Sequence, residues 1–220
     1  MSPNTDFDSL YKEIRTRIYL TEYPPGKALR EEELATEFGV SRTPIRRVLH
    51  RLEFEGLVTS QRGIGTIVTA VDVKSLKDVY AFRLKLAKLV GELSSPRITD
   101  DHIAVLEGLK EKVLQVKENY NPKAAALLYL DFHREMMSLI TNAPLRQVYD
   151  QLFHQTARVW LQILPELDWD EEVLAIYEEL RDVIKTLRAN DINTMAAVRR
   201  NHLAMVLHRI NKYLGSADIL

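Results

Sequence analysis

Glycine is distributed unevenly, and its placement divides the chain into two parts that must fold in different ways. Five of the eight glycines lie before residue 70, at Gly26, Gly39, Gly56, Gly63 and Gly65. Because glycine permits tight turns and commonly follows the end of a helix, the first part is expected to be rich in turns. Few helix breakers follow, so we predict two domains, residues 1–71 and 72–220, with Asp72 as the N-cap candidate of the next helix.

The first part has the element order of a winged helix-turn-helix. A first helix with one apolar face is expected to end before Tyr23, and a short second helix ends at Gly39. Ser41 is placed to cap a third helix, which keeps its apolar residues on one side and ends at Gly56. Two short β-prone runs then surround a glycine-containing turn, which predicts a hairpin.

The second part predicts an all-helical antiparallel bundle. Apolar residues recur at spacings of three and four. Five breaks, which separate about six helices, fall at residues 94–96, 119–122, 142–144, 164–165 and 190–191. Arg83 interrupts the apolar face of the first of these helices. Since a buried guanidinium without an anion is costly, Arg83 indicates either an internal carboxylate partner or an anionic ligand.

Composition excludes several classes of site. The chain has no cysteine, which excludes disulfides, thiolate metal sites and a cysteine nucleophile. It has no apolar run of 18 residues, and its start, Met1 to Asp8, is acidic and polar, so we expect a soluble cytoplasmic protein without a membrane partner. The net charge is −1, so any case for nucleic-acid binding must come from local charge.

Positive charge is concentrated in the third helix. Residues 42–51 contain four arginines, one histidine and no acid. The N-terminal residues of a recognition helix reach base edges in the major groove, where arginine binds guanine through two hydrogen bonds. Hydroxyls and free amides at a helix start suit phosphate oxygens. We therefore predict DNA contacts from Ser41, Arg42, Thr43, Arg46 and Arg47, and from Arg62 at the hairpin tip beside Gly63. The simpler alternative is a solvated basic helix face.

This segment resembles the winged helix of GntR-type bacterial regulators over nearly the whole of residues 8–70. The matching residues include Leu34-Ala35-x-x-Phe38-Gly39-Val40-Ser41-Arg42-Thr43-Pro44-Ile45-Arg46, Glu55-Gly56-Leu57-Val58 and Arg62-Gly63. The resemblance implies that Arg42, Thr43, Arg46 and the wing residue Gly63 contact operator DNA.

Two residues depart from the pattern of that family. Arg47 stands where relatives usually carry glutamate, which adds a positive charge. Glu32 stands where some relatives carry a DNA-contacting arginine, and Arg30 is the candidate to replace that contact. The resemblance therefore adds Arg30 to the predicted DNA-binding residues.

The second part resembles the FadR-like branch of the family, which has an FCD ligand-sensing domain. Many members of that branch hold a divalent metal with one aspartate and three histidines. His133 and His202 match two of these ligands, while Tyr129 and Leu180 stand at the positions of the aspartate and the middle histidine. With two of four ligands missing, no cofactor and no tightly bound metal are expected.

Arg83, Tyr129, His133 and His202 are the predicted effector-binding residues, for a small anionic metabolite such as a carboxylate. The two histidines also have a simpler interpretation as hydrogen-bonded core residues. We expect a ligand-responsive transcription regulator, a homodimer on a palindromic operator. No nucleophile motif or phosphate loop suggests an enzyme. The alternative is a constitutive DNA binder whose helical domain only dimerises.

Overall fold

The structure is a computed structural model that describes residues 6–216, and it divides between Asp72 and Val73 into two compact units. The elements in order are α1 (Phe7–Tyr19), β1 (Ala28–Leu29), α2 (Glu31–Phe38), α3 (Arg42–Phe54), β2 (Val58–Gln61), β3 (Gly65–Val68), α4 (Val73–Leu93), α5 (Asp100–Glu118), α6 (Pro122–Ser138), α7 (Ala143–Ile163), α8 (Trp169–Arg188) and α9 (Ile192–Ser216). A 3-10 turn, Leu164–Glu166, joins α7 to α8.

The core of the first unit fixes which side of α3 faces solvent. The inward residues of α3, namely Ile45, Val48, Leu49 and Leu52, are buried against apolar residues of α1 and the sheet. Gly39 has a φ of 64°, a left-handed conformation that ends α2 and turns the chain toward α3. Because one side of α3 fills this core, its arginines lie on the opposite, exposed side.

The wing is an antiparallel sheet with the strand order β1-β3-β2. Val58 pairs with Val68 and Gln61 pairs with Gly65, so the tip of the hairpin consists of residues 62–64. The sequence predicted β2 and β3, whereas β1 has only two residues and shows no alternation that would predict it. The hairpin expected from the sequence is therefore the main part of a three-stranded sheet.

The second unit consists of α4 to α9, and all five helix breaks predicted from the sequence are confirmed. The side chains of Asn121, Asn142 and Asp168 cap α6, α7 and α8 by accepting backbone N–H bonds. Helix α4 packs against α7 and α9, while α5 packs against α6 and α8. The mainly α architecture is confirmed. None of the described helices is long and apolar enough to cross a membrane.

Candidate nucleic-acid interface and effector cavity

Two arginines at the start of α3 are held in place by the first turn of α2. Nε and Nη2 of Arg46 donate to the two carboxylate oxygens of Glu31 at 2.8 and 2.7 Å. Nη1 of Arg42 donates to Glu32 at 2.8 Å. The hydrogen bonds from Arg46 lower the pKa of Glu31, so this carboxylate stays ionised. Both arginine side chains are still about half exposed, at 54% and 53%.

Small polar residues and the wing tip present further exposed donors. Ser41 precedes α3, and its side chain makes no capping hydrogen bond to the helix. Thr43, Arg62 and Gly63 are also exposed. Gly63 has a φ of 83°, which other residues adopt only with strain. The hydroxyls and the free amides at the start of α3 therefore lie at the same helix end as Arg42.

Arg47 and Arg30 occupy different surroundings from Arg42 and Arg46. The guanidinium of Arg47 lies 4.9 Å from the ring centroid of Phe7 in α1, which is a cation–π contact. Arg30 donates to Glu33 at 2.9 Å. Both side chains are exposed. Their predicted contacts with DNA remain predictions.

A cavity inside the second unit collects three of the four predicted effector-binding residues. Arg83, Tyr129 and His202 line it, together with residues of α7 and α8. The space in it that admits a water-sized molecule is about 30 Å³, so a larger ligand would require the wall side chains to move apart. His133 is not among its lining residues. The cavity wall is largely apolar with a few convergent polar groups, a composition typical of small-molecule sites.

Each of the two carboxylates in the cavity wall forms an ion pair with an arginine. Glu172 forms an ion pair with Arg209 and also accepts a hydrogen bond from Nε1 of Trp160 at 2.6 Å. Glu179 forms a buried ion pair with Arg199. Burial opposes the charge of Arg199, but the negative charge of Glu179 outweighs it and keeps the pKa of Arg199 above its usual value. Neither carboxylate therefore presents an unbalanced negative charge to a ligand.

Arg83, in contrast, is a buried cation that no described carboxylate neutralises through an ion pair. Its side chain is 3% exposed, and Nη1 donates to the hydroxyl of Thr156 at 2.6 Å. Its Nε is buried without a hydrogen-bond partner among the described residues. The guanidinium also lies 5.1 Å from the ring centroid of Tyr80. A desolvated guanidinium with an unused donor favours an anionic ligand.

The residues at the family's metal-binding positions do not fit a metal ion. Burial raises the pKa of Tyr129 well above its usual range, so the phenol stays protonated and offers no anionic oxygen to a metal ion. Leu180 is buried and apolar. Nε2 of His133 lies 3.0 Å from Oδ1 of Asp150. Of the residues at the four family positions, His202 is the one that places a metal-ligating side chain at the cavity wall.

His133 belongs instead to a cluster with Asp150 and His154 of α7. Nδ1 of His154 lies 3.5 Å from the same Asp150 oxygen, Oδ1, that His133 contacts. Burial lowers the pKa of His133 to about 4, against the effect of Asp150, so this imidazole is neutral at neutral pH. Asp150 and His154 were not among the site residues predicted from the sequence. Their spacing of four, which places both side chains on one helix face, was the signal available.

Comparisons with known proteins cover both units. Residues 7–68 match the family described as bacterial regulatory proteins, gntR family, and residues 78–205 match the FCD domain. The Nta operon transcriptional regulator of Aminobacter aminovorans is 34% identical over 125 residues, which are 56% of this chain and 58% of that relative. The match thus spans less than two thirds of that relative's length.

Two further similarities extend over more of the chain. The probable D-xylose utilization operon transcriptional repressor of Paenarthrobacter nicotinovorans is 25% identical over 195 residues, 89% of this chain and 84% of that relative. The solved structure of E. coli McbR/YncC covers 94% of this chain and 98% of its own, with a TM-score of 0.82 and 18% identity. This second similarity shows a shared fold.

Proposed function

The chain belongs to the gntR family of bacterial regulatory proteins and carries an FCD domain, and on this premise we propose that it is a cytoplasmic, homodimeric transcription regulator controlled by a small anionic effector. Its relatives are named as transcriptional regulators and repressors, not as enzymes. The observation that carries the proposal is the exposed arginine pair at the start of α3, Arg46 held by Glu31 and Arg42 by Glu32, on the face opposite the core.

The surface formed by α3 and the wing has the properties that major-groove recognition requires. Arg42 and Arg46 lie at the N-terminal end of a helix whose other face is buried, which is where recognition helices read bases. Ser41 and Thr43 suit phosphate oxygens. We propose that the wing tip, with Arg62 and Gly63, follows the adjacent backbone or minor groove, and that Arg30 and Arg47 add contacts with phosphate.

Selection of random duplexes with the purified chain tests this function. We expect enrichment of a two-fold inverted repeat, bound by two chains per duplex, because a symmetric dimer presents two recognition helices to equivalent half-sites. Affinity, measured by fluorescence anisotropy, should fall steeply as salt rises, since bound arginines displace counterions. Failure to enrich any sequence above the starting pool would contradict sequence-specific regulation. One chain per duplex would contradict the dimer.

Arg83 is the residue that we propose to recognise the effector. It lies at the wall of the cavity and carries an unused buried donor, while the neighbouring carboxylates are already paired. Tyr129 and His202 add further polar groups to the same wall. A carboxylate that accepts from Arg83 and from the phenol of Tyr129 would satisfy both groups. An effector of this kind is a carboxylate with an apolar or hydroxylated body.

A matched pair of probes tests the charge preference of the cavity. D-xylose and D-xylonate share a carbon skeleton but differ in charge, and one relative is named for D-xylose utilization. If the cavity accepts this skeleton, D-xylonate should stabilise the chain by about 2.7 kcal/mol at a hundredfold excess over its Kd, a shift of several degrees in Tm, whereas D-xylose should not. Succinate and citrate extend the test to carboxylates with other carbon skeletons.

Arg83→Met should abolish any stabilisation by these acids. The control is Arg181→Met, which removes the same charge from an exposed site on α8 and should leave the shift unchanged. Equal stabilisation by D-xylose would contradict an anion site. No shift with any acid would instead favour the constitutive DNA binder.

FCD domains often bind a metal ion. We propose that this chain holds none at the family position, because Tyr129 and Leu180 replace two ligands there and His133 contacts Asp150. The effector cavity would then recognise its ligand through protein side chains alone.

A further inference from the structure

Helix α7 carries an aspartate and a histidine four residues apart. In the family's metal site, two of the ligands on another helix have this same spacing. Asp150 and His154 lie on one face of that helix, and His133 of α6 faces them. In α6, the corresponding position four residues before His133 is Tyr129. The Asp-x-x-x-His spacing is therefore absent from the family position and present on the next helix.

We propose that His133, Asp150 and His154 form a binding site for a divalent transition-metal ion, displaced from the family position and separate from the effector cavity. One ligand atom from each residue lies within 4.8 Å of the other two. Oδ1 of Asp150 is 3.0 Å from Nε2 of His133 and 3.5 Å from Nδ1 of His154. Ligands of zinc at about 2.0–2.2 Å in a tetrahedral arrangement are roughly 3.3–3.6 Å apart, so small adjustments bring these atoms around one ion.

The surroundings of the cluster suit a coordinated ion. His133 and His154 are buried, whereas Asp150 is 29% exposed, which leaves an entry path from solvent on its side. Nδ1 of His133 is buried without a hydrogen-bond partner in the described part of the chain, so its polar contacts are incomplete. Nδ1 of His154 also lies 3.0 Å from the backbone carbonyl oxygen of Asp150, and it must give up this contact to bind an ion through its lone pair.

The donor set defines the class of ion. Two imidazoles and one carboxylate are ligands of zinc, cobalt, nickel and iron in their divalent states, and they leave an open position for water or an anion. Mg²⁺ and Ca²⁺ prefer sites built from oxygen ligands alone. Two positive charges act on His133: that of Arg199 is balanced by Glu179, whereas that of Arg83 has no described carboxylate partner and opposes binding of a cation. We therefore expect zinc binding without magnesium binding.

Zinc titration of the full chain, after treatment with a chelator, tests the site. Calorimetry should show one equivalent of Zn²⁺ bound per chain and no heat with Mg²⁺. Co²⁺ should give the intense visible absorption of a four-coordinate site. Asp150→Asn and His154→Gln should each weaken zinc binding at least tenfold, whereas His202→Gln, which alters the family position, should leave it unchanged.

Each result is decisive because the unaltered chain is measured first. Absence of stoichiometric zinc binding in that chain overturns the proposal, whatever the variants do. Loss of binding in His202→Gln with retention in His154→Gln also overturns it, since the ion would then lie at the family position. Circular dichroism of each metal-free variant tests whether the variant is folded, so that loss of zinc binding can be distinguished from unfolding. The effector experiment with Arg83→Met is independent of these outcomes.

Discussion

Replacing Arg46 with alanine is expected to abolish most of the chain's discrimination between its operator and unrelated duplex DNA while leaving the fold intact. The side chain is half exposed and contributes nothing to the core. Its Nε and Nη2 donate to Glu31, which leaves the N–H groups of Nη1 and the second N–H of Nη2 as the fork that matches O6 and N7 of guanine. We expect a loss of about 1–3 kcal/mol for each half-site. Because both half-sites of a dimer lose the contact, the ratio of specific to non-specific affinity should fall by about 2–6 kcal/mol, or roughly 30- to 25,000-fold.

Two further variants separate the shape of the guanidinium from its charge. Arg46→Lys keeps the charge but not the fork, so it should lose discrimination while the dependence of affinity on salt is preserved. Arg47→Ala removes a charge whose guanidinium lies over Phe7, so it should weaken binding to all sequences and reduce the log–log salt slope by about 1 for each chain bound, about 2 for the dimer. Anisotropy on operator and scrambled duplexes measures both quantities. Unchanged discrimination in Arg46→Ala would refute the assignment of this residue to base recognition.

The helices of the chain could be predicted because their ends carry local signals. Proline and a preceding asparagine mark the breaks before α6 and α7, where the side chains of Asn121 and Asn142 cap the helices. At α3 the predicted N-cap residue, Ser41, lies in the expected position, but its side chain makes no capping hydrogen bond. The buried face of α3 could also be predicted, from the spacing of its apolar residues. Strand β1 could not be predicted, because its two residues form a strand only by pairing with β3, which is distant in sequence.

The side-chain partners in both candidate sites could not be predicted, for the same reason. Glu31 contacts Arg46 across 15 positions of the chain, and Arg83 meets Thr156 across 73. The sequence placed His133 with Arg83 in one site, but helix packing turns its Nε2 toward Asp150. A periodicity indicates which face of a helix is buried, and only the packed bundle determines what that face contacts.

A buried ion pair, Glu179 with Arg199, joins α8 to α9 beside the family's metal position. The two side chains are 4% and 6% exposed, and the guanidinium of Arg199 also lies 4.6 Å from the ring centroid of Phe132 in α6. In the metal-binding members that the chain resembles, the ion connects ligands at the positions of residues 129, 180 and 202, which here fall on these same three helices. We infer that the ion pair provides the cross-link here.

Removing one member of that pair should destabilise the second unit by about 3–5 kcal/mol, because the other charge is left buried without a partner. Glu179→Met and Arg199→Met are the single variants, and the double variant that combines them should cost much less than either, since no uncompensated charge remains. Asp131→Asn, in an exposed ion pair with Arg134, is the control and should change stability by under about 1 kcal/mol.

Urea unfolding followed by tryptophan fluorescence measures these changes in the second unit alone, because both tryptophans of the chain, Trp160 and Trp169, lie there. A double variant as unstable as the sum of the two single variants would show that the two side chains do not act as a pair. Losses under about 1 kcal/mol in both single variants would show that water reaches the charges, and the ion pair could then not replace a metal ion as the link among α6, α8 and α9. Because both side chains are buried, we expect the opposite result. Each single variant should lose much of the free energy of unfolding, and the double variant should be more stable than either.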